Sequence, residues 1–158
     1  MGTSMTTLHQ IDDFLHRKRL AVVGVSRNPR DFTRSVFDEL RRRNYDVVPV
    51  NPAVTEVEGI PCHASVQDIT PPVEGALLMT KPAVTNNVVR ECADAGIRQI
   101  WLYRAGGTGA VSPDALTFCE ARGMSVVAGE CPFMFFPDTQ WFHRAHGFCR
   151  KLFGKYPS

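Results

Sequence analysis

Residues 24–34 set two hydroxyls and three guanidiniums behind a single glycine, in the run Gly24-Val25-Ser26-Arg27-Asn28-Pro29-Arg30-Asp31-Phe32-Thr33-Arg34. Groups of this kind at this spacing suit an anion, and a phosphate above all. Gly24 permits a tight turn and a close approach to the backbone. Ser26 and Thr33 can donate hydroxyls, while Arg27, Arg30 and Arg34 can donate charged forks. If a helix follows, its first amides and positive dipole end add to the cradle. Two known fingerprints are missing, since the chain has neither Gly-x-Gly-x-x-Gly here nor Gly-Lys-Ser/Thr. The alternative is a plain structural turn carrying solvated arginines.

The elements that must position these groups alternate along the chain. Thr7 followed by Gln10 reads as a helix start, with Leu8, Ile11, Phe14 and Leu15 as its apolar stripe. An apolar strand follows at 20–25. A helix at about 33–43 turns Val36, Phe37 and Leu40 inward and keeps three arginines in its last turn, where cations suit the dipole. Strand two spans 46–50 and stops at Asn51-Pro52. Residues 53–70 read as irregular, with a turn at Glu58-Gly59 and a helical turn around 66–69. Strand three covers 75–80, and a proline-started helix fills 82–95. Strand four is 99–103, a helix capped by Ser112 runs over 113–122, and strand five is 125–128. Strands apolar on both faces and separated by helices predict an α/β fold with a parallel sheet covered on both sides. Right-handed crossovers then lead to a Rossmann-like, doubly wound, five-stranded sheet in the order 3-2-1-4-5. Such a sheet binds at the carboxyl ends of its strands, where Ser26, Asn51 and Thr80 fall.

At 158 residues, the chain has room for one well-buried domain, with no repeat or linker to divide it. The core would be about 14–131, followed by an extension over 132–158. A net charge of +2 does not by itself call for a nucleic acid or a membrane surface. Five cysteines without a Cys-x-x-Cys pair argue against a disulfide framework and a zinc ribbon. With no apolar run of membrane-spanning length and no signal-peptide pattern, the reading is a cytoplasmic protein with reduced thiols.

A resemblance becomes specific at Val23-Gly24-Val25-Ser26, Val36-Phe37-Asp38-Glu39-Leu40, Tyr45-Asp46-Val47-Val48-Pro49-Val50-Asn51-Pro52, Gly59 and Ser65-Val66-Gln67-Asp68-Ile69. This frame resembles the small stand-alone CoA-binding domain proteins of bacteria, which are similar to the CoA-binding domain of the succinyl-CoA synthetase α subunit. The resemblance implies coenzyme A or an acyl-CoA as cofactor. It places Gly24, Val25, Ser26 and Thr33 against the diphosphate and Asn51 and Pro52 beside the adenosine. Thr80 and Lys81 would line the adjoining wall. Arg27, Arg30 and Arg34 join this set on charge alone. The phosphorylated histidine of the synthetase belongs to a second domain without a counterpart here, so no catalytic residue is assigned.

Two other readings use the same chain. An NAD(P)-dependent oxidoreductase would need the missing glycines, and Asn51 stands where an acidic residue would hold the ribose. A thiol-redox or metal sensor would rely on Cys131, which follows strand five at the rim, with Arg104 from the loop after strand four to supply charge. His143, His146 and Cys149 would be its further ligands, against the plainer reading of packed tail residues. The glycines at 106, 107 and 109 read as a second anion cradle or a mobile connector. In the tail, Trp141, Ala145, Phe148 and Leu152 predict a C-terminal helix with one apolar side. That side would pack on the sheet edge or on a second copy of the chain, as a homodimer.

Overall fold

The computed structural model describes residues 6–104 and 109–136. The chain opens with α1 (Leu8–Leu15), β1 (Arg19–Val23), α2 (Phe32–Arg42) and β2 (Asp46–Val50). A small antiparallel hairpin follows, β3 (Glu56–Val57) and β4 (Ile60–Pro61), then a 3-10 turn at Val66–Asp68. The rest alternates as β5 (Gly75–Leu78), α3 (Pro82–Asp94), β6 (Gln99–Leu102), α4 (Pro113–Ala121) and β7 (Ser125–Ala128), and closes with a 3-10 turn at Pro132–Phe135.

The local signals explain these boundaries. Thr7 and Gln10 form a reciprocal capping box: the Gln10 amide donates to Thr7 Oγ1 at 3.2 Å, and the Thr7 amide to Gln10 Oε1 at 2.9 Å. Ser112 caps α4 ahead of Pro113. The helix at α2 begins one residue earlier than its sequence pattern implies, because Asp31 caps it.

All five long strands are parallel, in the order β2-β1-β5-β6-β7. The fold class is therefore as expected, and the strand order is corrected. The third long strand, β5, does not lie outside β2 in a 3-2-1-4-5 arrangement but pairs with β1, Leu20 opposite Gly75 and Val23 opposite Leu78. The reason is the face on which each connection crosses. Val36, Phe37 and Leu40 of α2 pack on one side of the sheet with Phe14 and Trp101. Val66 and Ile69, in the connection from β2 to β5, pack on the other side with Val88, Val89 and Cys92 of α3. A right-handed crossover that changes face reverses its direction of travel, so the chain steps back past β1. The switch point then lies between β1 and β5.

One edge of the sheet is β7. The amide of Ala128 there donates to Thr6 Oγ1 at 3.0 Å. Among the described residues no helix is long and apolar enough to cross a membrane. The expected C-terminal helix, with His143, His146 and Cys149, lies outside the described residues, as do residues 105–108.

Candidate functional site

The backbones of β1 and β5 come so close at the switch point that one residue must be glycine. Gly24 has φ +96°, and a Cβ there would stand 2.5 Å from the Met79 carbonyl oxygen. Its freedom serves the join between the two strands, in addition to any ligand above it. The Gly24 amide donates to Val50 O at 2.8 Å and the Met79 amide to Val23 O at 2.9 Å. Asn51 completes the floor: its Nδ2 donates to Val25 O at 3.0 Å, and its Oδ1 accepts from the Ala53 amide at 2.9 Å. Asn51 is thus a tie between the ends of β1 and β2, with exposed Pro52 beside it.

The loop after β1 is closed by its own side chains. The Ser26 amide donates to Thr33 Oγ1, the Asn28 amide to Ser26 Oγ and the Arg30 amide to Asn28 Oδ1, each at 3.0 Å. Asp31 Oδ1 accepts from the Thr33 amide at 2.9 Å and from the Thr33 hydroxyl at 2.8 Å. The start of α2 therefore already holds an anion, the Asp31 carboxylate, where a phosphate was expected to find free amides. The sequence carried that signal: aspartate two residues before Thr33 is a strong N-cap.

The three arginines divide. Arg27 and Arg30 are exposed on the loop. Arg34 is buried, 3% exposed. Its Nη1 donates to Arg27 O at 3.1 Å and its Nη2 to Glu58 Oε1 at 2.5 Å, an ion pair that Arg41 shares at 3.1 Å. Arg34 braces the loop against the β3–β4 turn. Burial raises the nearby Asp38 carboxyl above its ordinary range, with help from Glu58 and against Arg34 and Arg41.

The opposite lip is more open. Thr80 Oγ1 shares a 2.7 Å hydrogen bond with buried Thr85 Oγ1, which also donates to Lys81 O at 3.2 Å. Lys81 is exposed and stands at the N-cap of α3 without a side-chain cap on that helix. The first amides of α3 thus lack the internal carboxylate that α2 has, and their dipole faces the carboxyl end of β5. The sequence shows the helix start at Pro82 and Lys81 beside it; Thr85 and the uncapped amides escaped that reading, although the absence of Ser, Thr, Asp or Asn at the cap was the available sign.

Cys131 reaches the rim as expected but is fully buried, packed with Phe133 and Val127. Cys92 is likewise buried, and burial pushes its thiol up, with Cys119 and Glu91 adding to it. Cys119 is pushed up to about 11 by the same cause. Half-buried His63 links to the end of β2 through its backbone: its amide donates to Pro49 O at 3.0 Å, and its carbonyl accepts from Asn51 at 2.9 Å. Among the described residues no group of three His, Cys, Asp or Glu is placed to hold a metal.

Known proteins share this frame. The uncharacterized protein YneT of Bacillus subtilis is 25% identical over 123 residues, which cover 77% of this chain and 88% of that protein. Subunit alpha of the ADP-forming acetate–CoA ligase II of Pyrococcus furiosus is 28% identical over 97 residues, 61% of this chain and 21% of the subunit. The solved structure of a hypothetical protein from Pyrococcus horikoshii OT3 superposes with a TM-score of 0.75 at 28% identity, over 84% of this chain and 90% of that one. The family model for the CoA binding domain matches residues 18–137, a stretch that takes in both lips of the β1–β5 cleft, and the chain belongs to that family.

Proposed function

We propose that this chain is a binding module that holds coenzyme A or an acyl-CoA in the cleft between β1 and β5. The diphosphate lies above Gly24, Val25, Ser26 and Thr33. Arg27 and Arg30 on one lip and Lys81 on the other supply exposed positive charge, and the uncapped start of α3 supplies amides. Asn51 and Pro52 border the adenosine. Arg34 acts from beneath, by holding the loop through Arg27 O. The observation that carries this reading is the family match over residues 18–137.

Because the loop amides already have partners, binding is an exchange. Ligand oxygens replace Ser26, Asn28 and Thr33 oxygens, and the net gain comes from charge that the chain's own acceptors do not bring. Hydrogen bonds to charged groups contribute roughly 1.5–3 kcal/mol, so one lost contact weakens binding by about tenfold or more.

Titration calorimetry with CoA, NADP, NAD and ATP tests the reading. CoA should bind, and the other three should bind weakly or not at all. Binding of NADP without CoA would overturn it in favour of an oxidoreductase. Ser26→Asp gives the sharper test. An aspartate oxygen can still accept from the Asn28 amide, so the fold should survive, while its charge repels the diphosphate. Loss of CoA binding with an unchanged melting temperature is expected; unchanged affinity removes this loop from the site.

A further inference from the structure

A second position on the same rim is built around one side chain. Arg104 follows Tyr103, whose amide extends the β5–β6 ladder by donating to Leu78 O at 3.0 Å. Tyr103 also meets Phe32, at the start of α2, with ring centroids 5.6 Å apart. Arg104 therefore stands one strand away from the switch point, about 5 Å further along the rim.

Two glycines from different loops make room for it. A Cβ on Gly129 (φ +84°) would come within 2.9 Å of Arg104 Nη2, 3.1 Å of Cζ and 3.2 Å of Nε, so the guanidinium lies across that glycine's backbone. A Cβ on Gly109 would stand 2.7 Å from Arg104 Cα and 2.9 Å from its Cβ. Held at both ends and half-buried, the guanidinium nevertheless makes no hydrogen bond or ion pair among the described residues. A positioned fork without an acceptor is a receptor for a planar oxyanion. The neighbouring carboxyl is Glu130, whose Oε2 is buried and has no hydrogen-bond partner. A phosphate dianion would bring two negative charges beside that glutamate against one cation, whereas a carboxylate brings one. Burial raises the Glu130 carboxyl above its ordinary range, and Arg104 acts against that rise.

We infer that Arg104 receives a carboxylate at the thiol end of the bound nucleotide, so that the preferred ligand is CoA accompanied by a carboxylate, either as the free end of its acyl group or as a separate acid beside the thiol. The inference rests on the cleft being a CoA site. The pantetheine arm need only run from the β1–β5 cleft along the rim to the end of β6 to bring its sulfur to this guanidinium.

Calorimetry with free CoA, acetyl-CoA, glutaryl-CoA, and CoA with saturating glutarate separates the cases. Wild type should bind glutaryl-CoA, or CoA in the presence of glutarate, about tenfold more tightly than acetyl-CoA, as expected for one charge-assisted contact. Which of the two shows the gain identifies the source of the carboxylate. Arg104→Leu should abolish the preference while leaving the affinity for free CoA within about twofold, and Arg104→Lys, which keeps the charge without the fork, should retain part of it. Equal binding of all four by wild type, or a preference that survives Arg104→Leu, overturns this inference and leaves the CoA site standing. Failure of every arm to bind overturns the CoA reading itself, and this inference with it.

Discussion

Side chains read from sequence as one basic cluster do two different things in the fold. Arg27 and Arg30 remain at the surface, while Arg34 is drawn under the loop by Glu58. Charge composition could place the three in one neighbourhood, but not choose among them. The choice depends on Glu58, 24 residues further on, in a hairpin whose turn the sequence shows and whose docking it does not. Gly24 was legible as a turn residue, and its tightest contact, the Met79 carbonyl, was not, because that contact follows from β5 lying beside β1. Gly24→Ala should therefore destabilise the fold itself. The positive φ costs about 1–2 kcal/mol and the crowding about as much again, read as a lower urea midpoint. A variant with wild-type stability would show that the two strand ends part easily.

At the level of elements, the boundaries of β2 and β7 and the capping of α1 and α4 follow from local signals alone. What local signals missed is the contrast between the two helices that flank the cleft: α2 carries its own capping carboxylate and α3 carries none. The outer side of α2 also has a pH response built into it. Burial, and then Glu58, raise the Asp38 carboxyl above its ordinary value of 3.8. The native state thus keeps that proton to higher pH than the unfolded chain does. Stability associated with this group is present at acid pH and is lost as pH rises from about 3.8 through the raised native value. The buried Glu130 carboxyl acts with the same sign. Asp38→Asn should raise the melting temperature at neutral pH, and the difference from wild type should close below pH 3.8. A gap that stays constant with pH would assign the effect to packing.

For the molecule as a whole, alternation of strands and helices announced a parallel sheet with helices on both faces, and the sheet has that form. Strand order was beyond it, since the order depends on which face each connection takes, and 53–70 offered only a single helical turn by which to judge. The start of the tail contributes to folding as well. Phe133 is fully buried under the α1–α2 face, beside Phe14 and Val36. Phe133→Ala should cost roughly 3–5 kcal/mol in chemical denaturation. A loss below about 1 kcal/mol would mean the aromatic run only rests on the domain. A sheet margin with unsatisfied amides invites another chain to extend it. The Thr6 hydroxyl occupies the Ala128 amide on β7, so the segment before α1 takes up one donor that edge-to-edge pairing with another chain would use. Thr6→Ala frees that donor, and light scattering at high concentration should rise on storage while the isolated molecule melts almost as before.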